Sequence, residues 1–359
     1  MSDIPAFIAA LPKAELHMHL EGSLEPEMLL ALAQRNGVRL PYPDVAALRR
    51  AYSFDSLQSF LDLYYLGLTV LQTGDDFYQM TEAYLARAAH EYVRHAEVFI
   101  SPQAHLRRGL PIAPIVENIF AAFDAAYNAH GITGGLIAGI QRQFDEADAL
   151  ATIAALKPWR DRILGVGLGG PEIGHPPSKF RRAFAVARGD FGWGTVAHAG
   201  EEGGADYVRD ALDTLKVDRI DHGVRCDADP DLVSRLADER TPLTVCPCSN
   251  VALRVFPDMK SHNICKLHAS GVCVTVNSDD PPYFGGYINK NYTAIQAALG
   301  VTDEDLWQMA ETVSPALTCR RNCAPVICPI SIAIAQSLES AKTICDRGQS
   351  ASAPCNPNR

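Results

Sequence analysis

Residues 194–224 read GTVAHAGEEGGADYVRDALDTLKVDRIDHGV. Two short apolar runs, Gly194–Gly200 and Arg219–Val224, flank a segment, Asp206–Leu215, whose apolar residues recur at helical spacing. Runs this short and this nearly continuous suit strands buried on both faces, as in a parallel sheet covered by helices. The alternation continues on either side of this unit. Further runs are Ala14–Leu20, His95–Ser101, Gly134–Ile140, Ile163–Gly170, Pro242–Pro247 and Val272–Asp279. Eight strand–helix units in one chain predict an α/β fold: a single closed (β/α)8 barrel of TIM type rather than an open doubly wound sheet. No GxGxxG follows an early strand, so the dinucleotide-binding fingerprint is missing. The roughly 75 residues between the first two runs exceed one crossover. Phe54–Leu68 and Asp75–Arg87 carry the pattern of extra helices there.

Composition narrows the classes. The chain has 359 residues, 47% hydrophobic and 21% charged, which excludes disordered, collagen-like and coiled-coil readings. Its 32 basic and 42 acidic residues leave a net charge of −10, which argues against a nucleic-acid partner. No apolar run reaches the ~18–20 residues needed to span a bilayer, so no membrane partner is expected. Met1–Lys13 lacks a basic start and is interrupted by Asp3 and Pro5, unlike a signal peptide, so a cytoplasmic location is expected. Cysteines there stay reduced. Cys246 and Cys248 have the wrong spacing for a zinc ribbon or a CxxC pair and read as small fillers of a strand.

In a barrel of this type the active site forms at the C-terminal strand ends, and chemistry-bearing residues gather there. The first run ends in His17-Met18-His19, whose alternate side chains share one face. The fifth ends in His198-Ala199-Gly200-Glu201, the sixth holds Asp221-His222-Gly223, and the eighth ends in Ser278-Asp279-Asp280. Each has an ordinary explanation as a capping Asp, a core histidine or a solvated Glu. All of them falling at strand ends of one barrel points instead to a shared mononuclear metal site. Neutral imidazoles and a carboxylate suit zinc or a similar divalent ion, with a position left for water whose pKa falls toward ~7. Glu201 is placed to donate a proton, and His222 to orient and deprotonate the water. This implies metal-assisted hydrolysis, or hydrolytic deamination, of a small polar substrate. His90, His95, His130, His262 and His268 read as surface or core histidines, whereas His105 and His175 are placed in loops after strand ends, where lining the barrel mouth is left open.

Taken together, LPKAELHMHLEGS, VAHAGEE, RIDHGV, TVCPCSNVALRV and NSDDPPYFGGYINKNY resemble the adenosine/adenine deaminase family of the amidohydrolase superfamily. The resemblance runs from Pro5 to Thr312 and implies one metal, zinc or else iron(II), held by His17, His19, His198 and Asp279. It further implies Glu201 as proton donor to purine N1, His222 as the group activating the water, and Asp280 as partner of purine N7. FISPQAHLRRG, GPEIGHPPSKF and DDPPYFGGY resemble the adenine branch, so the expected reaction is adenine to hypoxanthine and ammonia. Free adenine carries a hydrogen on N9, and Glu172 is expected to accept it, with Gly170 beside it lining the substrate. Adenosine or N6-substituted adenine deamination is the alternative. Oligomeric state is left open.

The tail departs from the family. After about Thr312 it reads SPALTCRRNCAPVICPISIAIAQSLESAKTICDRGQSASAPCNPNR, like a shifted reading frame or a divergent extension. Residues 1–312 are expected to form the barrel, and 313–359 a poorly ordered tail that endangers barrel closure. A purine- or metal-binding barrel disabled by this C-terminus is the non-catalytic alternative.

Overall fold

Residues 4–311 are described by the computed structural model. Its eight parallel strands follow one another in chain order around the sheet: β1 (Lys13–His19), β2 (Val93–Ile100), β3 (Thr133–Gln141), β4 (Ile163–Gly169), β5 (Gly194–Ala199), β6 (Arg219–His222), β7 (Leu243–Val245) and β8 (Val274–Val276). Every expected run is a strand. The seam is made by residues that also carry the chemistry: Met18 bridges Asp279. There the His19 N–H donates to the Asp279 carbonyl and the Asp279 N–H to the His17 carbonyl, each at 3.0 Å. Closure is thus complete before the altered tail begins. The expected disorder of residues 313–359 lies outside the described residues.

The last two strands are three residues each, shorter than their apolar runs. Beyond β8, side chains replace the backbone ladder. Asn277 Oδ1 accepts the Leu16 N–H at 2.8 Å, while Glu15 accepts both the N–H and the hydroxyl of Ser278 at 2.8 and 2.7 Å. Around β7 the two prolines, Pro242 and Pro247, remove ladder donors. Cys246 and Cys248 therefore do not fill a strand: Cys246 is buried just past β7, and Cys248 sits on the short helix Pro247–Ala252.

The extra helices between β1 and β2 are Pro26–Arg35, Val45–Ala51, Leu57–Leu68 and Gly74–His90. Leu57–Leu68 starts three residues later than expected because Ser56 and Ser59 close a capping box. Thr73 and Asp76 do the same for Gly74–His90. The helix expected over Asp206–Leu215 is α-helical only over Ala205–Asp210; it widens into a π-turn at Ala211–Leu215 and stops where Lys216 turns left-handed.

Inside the barrel the filling is partly ionic. Arg219 donates to Glu97 at 2.6 Å, to Asp221 at 3.1 Å and to the Leu16 carbonyl at 2.9 Å, and all three charged side chains are buried. Removing one member of such a buried set costs about 3–5 kcal/mol, because the partner keeps an uncompensated charge. Among the described residues no helix is long and apolar enough to cross a membrane.

Candidate active site

The histidines and carboxylates singled out at the strand ends meet in one cluster. His17 Nε2 and His19 Nε2 each lie 3.1 Å from His198 Nε2, and 3.5 and 3.4 Å from Asp279 Oδ1. Two neutral imidazole nitrogens cannot hydrogen-bond across such a gap when both aim lone pairs into it. A cation explains the packing: four donors at ~2.1 Å around a tetrahedral zinc are about 3.4 Å apart. His17, His198 and Asp279 offer ligand atoms all within 4.8 Å of one another, and His19 approaches His198 and Asp279, so spacing and donor chemistry suit a divalent ion. Burial pulls His19 down to about 3 and also lowers His198, so both stay neutral and able to ligate. Burial pulls His17 down too, but the Asp279 carboxylate more than reverses it. His222 also has a ligand atom within 4.8 Å of those of His17, His198 and Asp279.

Two of the six left-handed non-glycine residues among the described residues lie at the site. Asp279 and His222 are non-glycine residues in the left-handed region, at φ 65° and 63°. Each costs roughly 1–2 kcal/mol and persists only where surrounding bonds over-determine it. For Asp279 those bonds are the barrel seam itself. Gly22, in the turn after β1, lies so close to Asp280 that any side chain there would collide with its carboxylate.

The cluster floors a cavity enclosing about 600 Å³ of empty space, its mouth included. Leu57, Phe60, Leu61, Tyr64 and Tyr65 of the helix Leu57–Leu68 form much of its apolar wall, with Leu253. The polar wall carries Glu201, Asp280, Gln141 and the Gly169-Gly170 backbone at the end of β4. Glu201 Oε1, Asp280 Oδ1 and Gln141 Oε1 are buried there without a hydrogen-bond partner. Burial, with the neighbouring Asp279 charge, pushes the Glu201 and Asp280 carboxyls well above the usual range. Burial thus biases both toward the neutral carboxyl, the form in which each can donate.

Glu172 is placed otherwise than expected. It is outside the cavity wall, and its two oxygens accept four backbone N–H groups: Gly200 at 2.7 Å on Oε1, and Glu201, Glu202 and Gly203 at 3.0, 2.7 and 2.7 Å on Oε2. Its carboxylate is turned onto residues 200–203 rather than into the cavity. The carbonyl side of the same loop is held by arginines, Arg142 on His198 at 2.8 Å and Arg225 on Glu201 at 2.7 Å. The loop that presents Glu201 is thus clamped from both sides. A side chain at Gly203 would meet Glu172 Oε1 at 2.7 Å, which is why glycine stands there.

Of the two histidines expected in loops, His105 lies on the short helix Pro102–Leu106, buried and bonded to Glu21 at 2.9 Å, and His175 is half-buried; neither lines the cavity. His262, read as incidental, lies near His222 through Asn250: Asn250 bonds the His222 ring at 3.2 Å and the His262 ring at 3.2 Å. Gln141 and Asn250 were not singled out from the sequence, although Asn250 lies within TVCPCSNVALRV, because a single amide does not show which partners it will meet.

The adenosine deaminase family model matches residues 12–316. The adenine deaminase of Albidiferax ferrireducens is 52% identical over 307 residues, 86% of this chain and 89% of that protein. That of Trichlorobacter lovleyi is 53% identical over 296 residues, 82% and 84% of the two chains. Among solved structures, the adenine deaminase of Arthrobacter aurescens superposes with a TM-score of 0.87 at 43% identity, covering 94% of this chain and 99% of that one. An amidohydrolase from Burkhoderia ambifaria with bound Zn gives 0.84 at 29% identity, covering 95% and 94%. A family match over most of the chain, relatives at half identity and a shared barrel agree: this chain belongs to the adenosine deaminase family.

Proposed function

We propose that the protein is a cytoplasmic, metal-dependent adenine deaminase that hydrolyses adenine to hypoxanthine and ammonia. The observation that carries this is the pair of buried carboxyls, Glu201 and Asp280, with unpartnered oxygens beside the His/Asp cluster. Adenine offers two acceptors flanking C6, N1 and N7, for those two donors. His17, His19, His198 and Asp279 are the residues we assign to the ion, zinc or else iron(II), which when bound lowers the pKa of a water and polarises it. Glu201 gives its proton to N1, which makes C6 electrophilic. Water oxygen then bonds to C6, giving one proton back to the Glu201 carboxylate and the other to N6, and the C6–N6 bond breaks as N6 departs as ammonia. The purified protein should consume adenine with loss of its ultraviolet band and release of ammonia. Chelation should abolish this and added zinc restore it. Turnover of adenosine or an N6-substituted adenine in place of adenine would overturn the assignment.

The free base is favoured over the nucleoside by the names of the relatives and by the amide on β3. With Glu172 engaged elsewhere, Gln141 Oε1 is the acceptor we assign to adenine N9–H. It is buried, unpartnered, and three strands round the barrel from β8, which leads to Asp280. A bond made equally in ground and transition state acts on KM. Gln141→Met, similar in shape, is expected to raise KM for adenine roughly tenfold with kcat within about threefold. An unchanged KM removes the assignment.

A further inference from the structure

The hydrogen bonds behind His222 dictate which of its nitrogens carries the proton. They begin at a backbone amide, which can only donate. Ile264 N–H bonds to His262 Nδ1 at 3.1 Å, so the neutral His262 ring carries its proton on Nε2. Burial holds His262 neutral, pulled down to about 4. Its Nε2 meets Asn250 Oδ1 at 3.2 Å, and this turns the Asn250 Nδ2 toward His222 Nδ1, also 3.2 Å away. An amide nitrogen has no lone pair to offer, so His222 Nδ1 accepts. The proton of the neutral His222 ring is left on Nε2, the nitrogen that faces Glu201 Oε2 at 3.5 Å and Asp279 Oδ2 at 3.8 Å. The three side chains are at most 4% exposed, which leaves solvent no way to reverse the chain.

We infer that Asn250 and His262 are positioning residues that fix His222 as an N–H donor into the active site. This reverses the sense expected from the sequence, in which His222 removes a proton from water. A neutral ring protonated on Nε2 has no lone pair on that side. It holds the attacking oxygen by donating to it, which aims that oxygen at C6 and favours its deprotonated form. This catalytic consequence rests on the adenine reading above; the tautomer itself does not.

The test uses the metal-loaded enzyme. Histidine-labelled nitrogen NMR, with His222 identified by its loss in His222→Gln, should show the wild-type proton on Nε2. Asn250→Asp has the same shape but only accepts, so it should place a proton on His222 Nδ1. We expect kcat for adenine to fall roughly 100-fold in that variant, with KM within about threefold. His262→Gln can still donate to Asn250 and should keep kcat within about threefold, whereas His262→Leu should match Asn250→Asp. A wild-type proton on Nδ1 overturns the inference, whether or not any variant folds. So does a wild-type kcat in Asn250→Asp, or equal damage in the two His262 variants. A wild type inert toward adenine would sink the functional reading and leave the NMR result standing.

Discussion

Replacing Glu201 by glutamine is expected to lower kcat for adenine by about 10³-fold or more, with little change in KM. The amide has nearly the same shape, so the cavity wall and the His/Asp cluster stay in place. It can still donate a hydrogen bond to N1, which preserves binding, but it cannot release a proton there. The native carboxyl is prepared for that release: it is 3% exposed, its Oε1 has no partner, and burial beside Asp279 keeps it protonated. Steady-state kinetics on variant protein with its metal content verified would check this. Retention of kcat within tenfold of wild type would mean the proton reaches N1 by another route.

The second large effect is expected at Glu172. Glu172→Gln should lower kcat roughly 100-fold and lower the melting temperature by several degrees. The substituted amide keeps one acceptor but turns an NH₂ group against N–H donors that now share one carboxylate oxygen. A buried N–H left without an acceptor costs about 1–3 kcal/mol, and relaxing that loop moves Glu201. The two readings of this residue separate cleanly. If Glu172 bound adenine N9–H, the variant would raise KM and spare kcat and the melting temperature. As a clamp on residues 200–203 it lowers kcat and stability together.

Much of the active site was legible because the barrel puts its chemistry at strand ends, where a short apolar run followed by His, Asp or Glu can be read directly. His17, His19, His198, His222, Asp279 and Asp280 all carry that mark, and the structure gathers them. Glu172 carries it too, yet the structure sets its carboxylate against the neighbouring loop. An acid after β4 is expected to face the mouth, but whether it faces substrate or a neighbouring loop depends on how the 200–203 turn folds back. The ionic filling by Glu97 and Arg219 was hidden because the two partners lie 122 residues apart, in separate runs read only as buried strands.

From the chain alone came the number of strands, their parallel order, the type of barrel and the residues capable of holding an ion, since all of these follow from local periodicity and residue chemistry. Tertiary structure decided which lone pairs remain free once the chain is packed. Both Glu172 oxygens are used up by backbone N–H groups, Gln141 is left with an open oxygen, and the Ile264–His262–Asn250 chain turns the His222 proton toward the cavity. A hydrogen bond's direction depends on what stands at the other end, and those partners lie many residues away along the sequence.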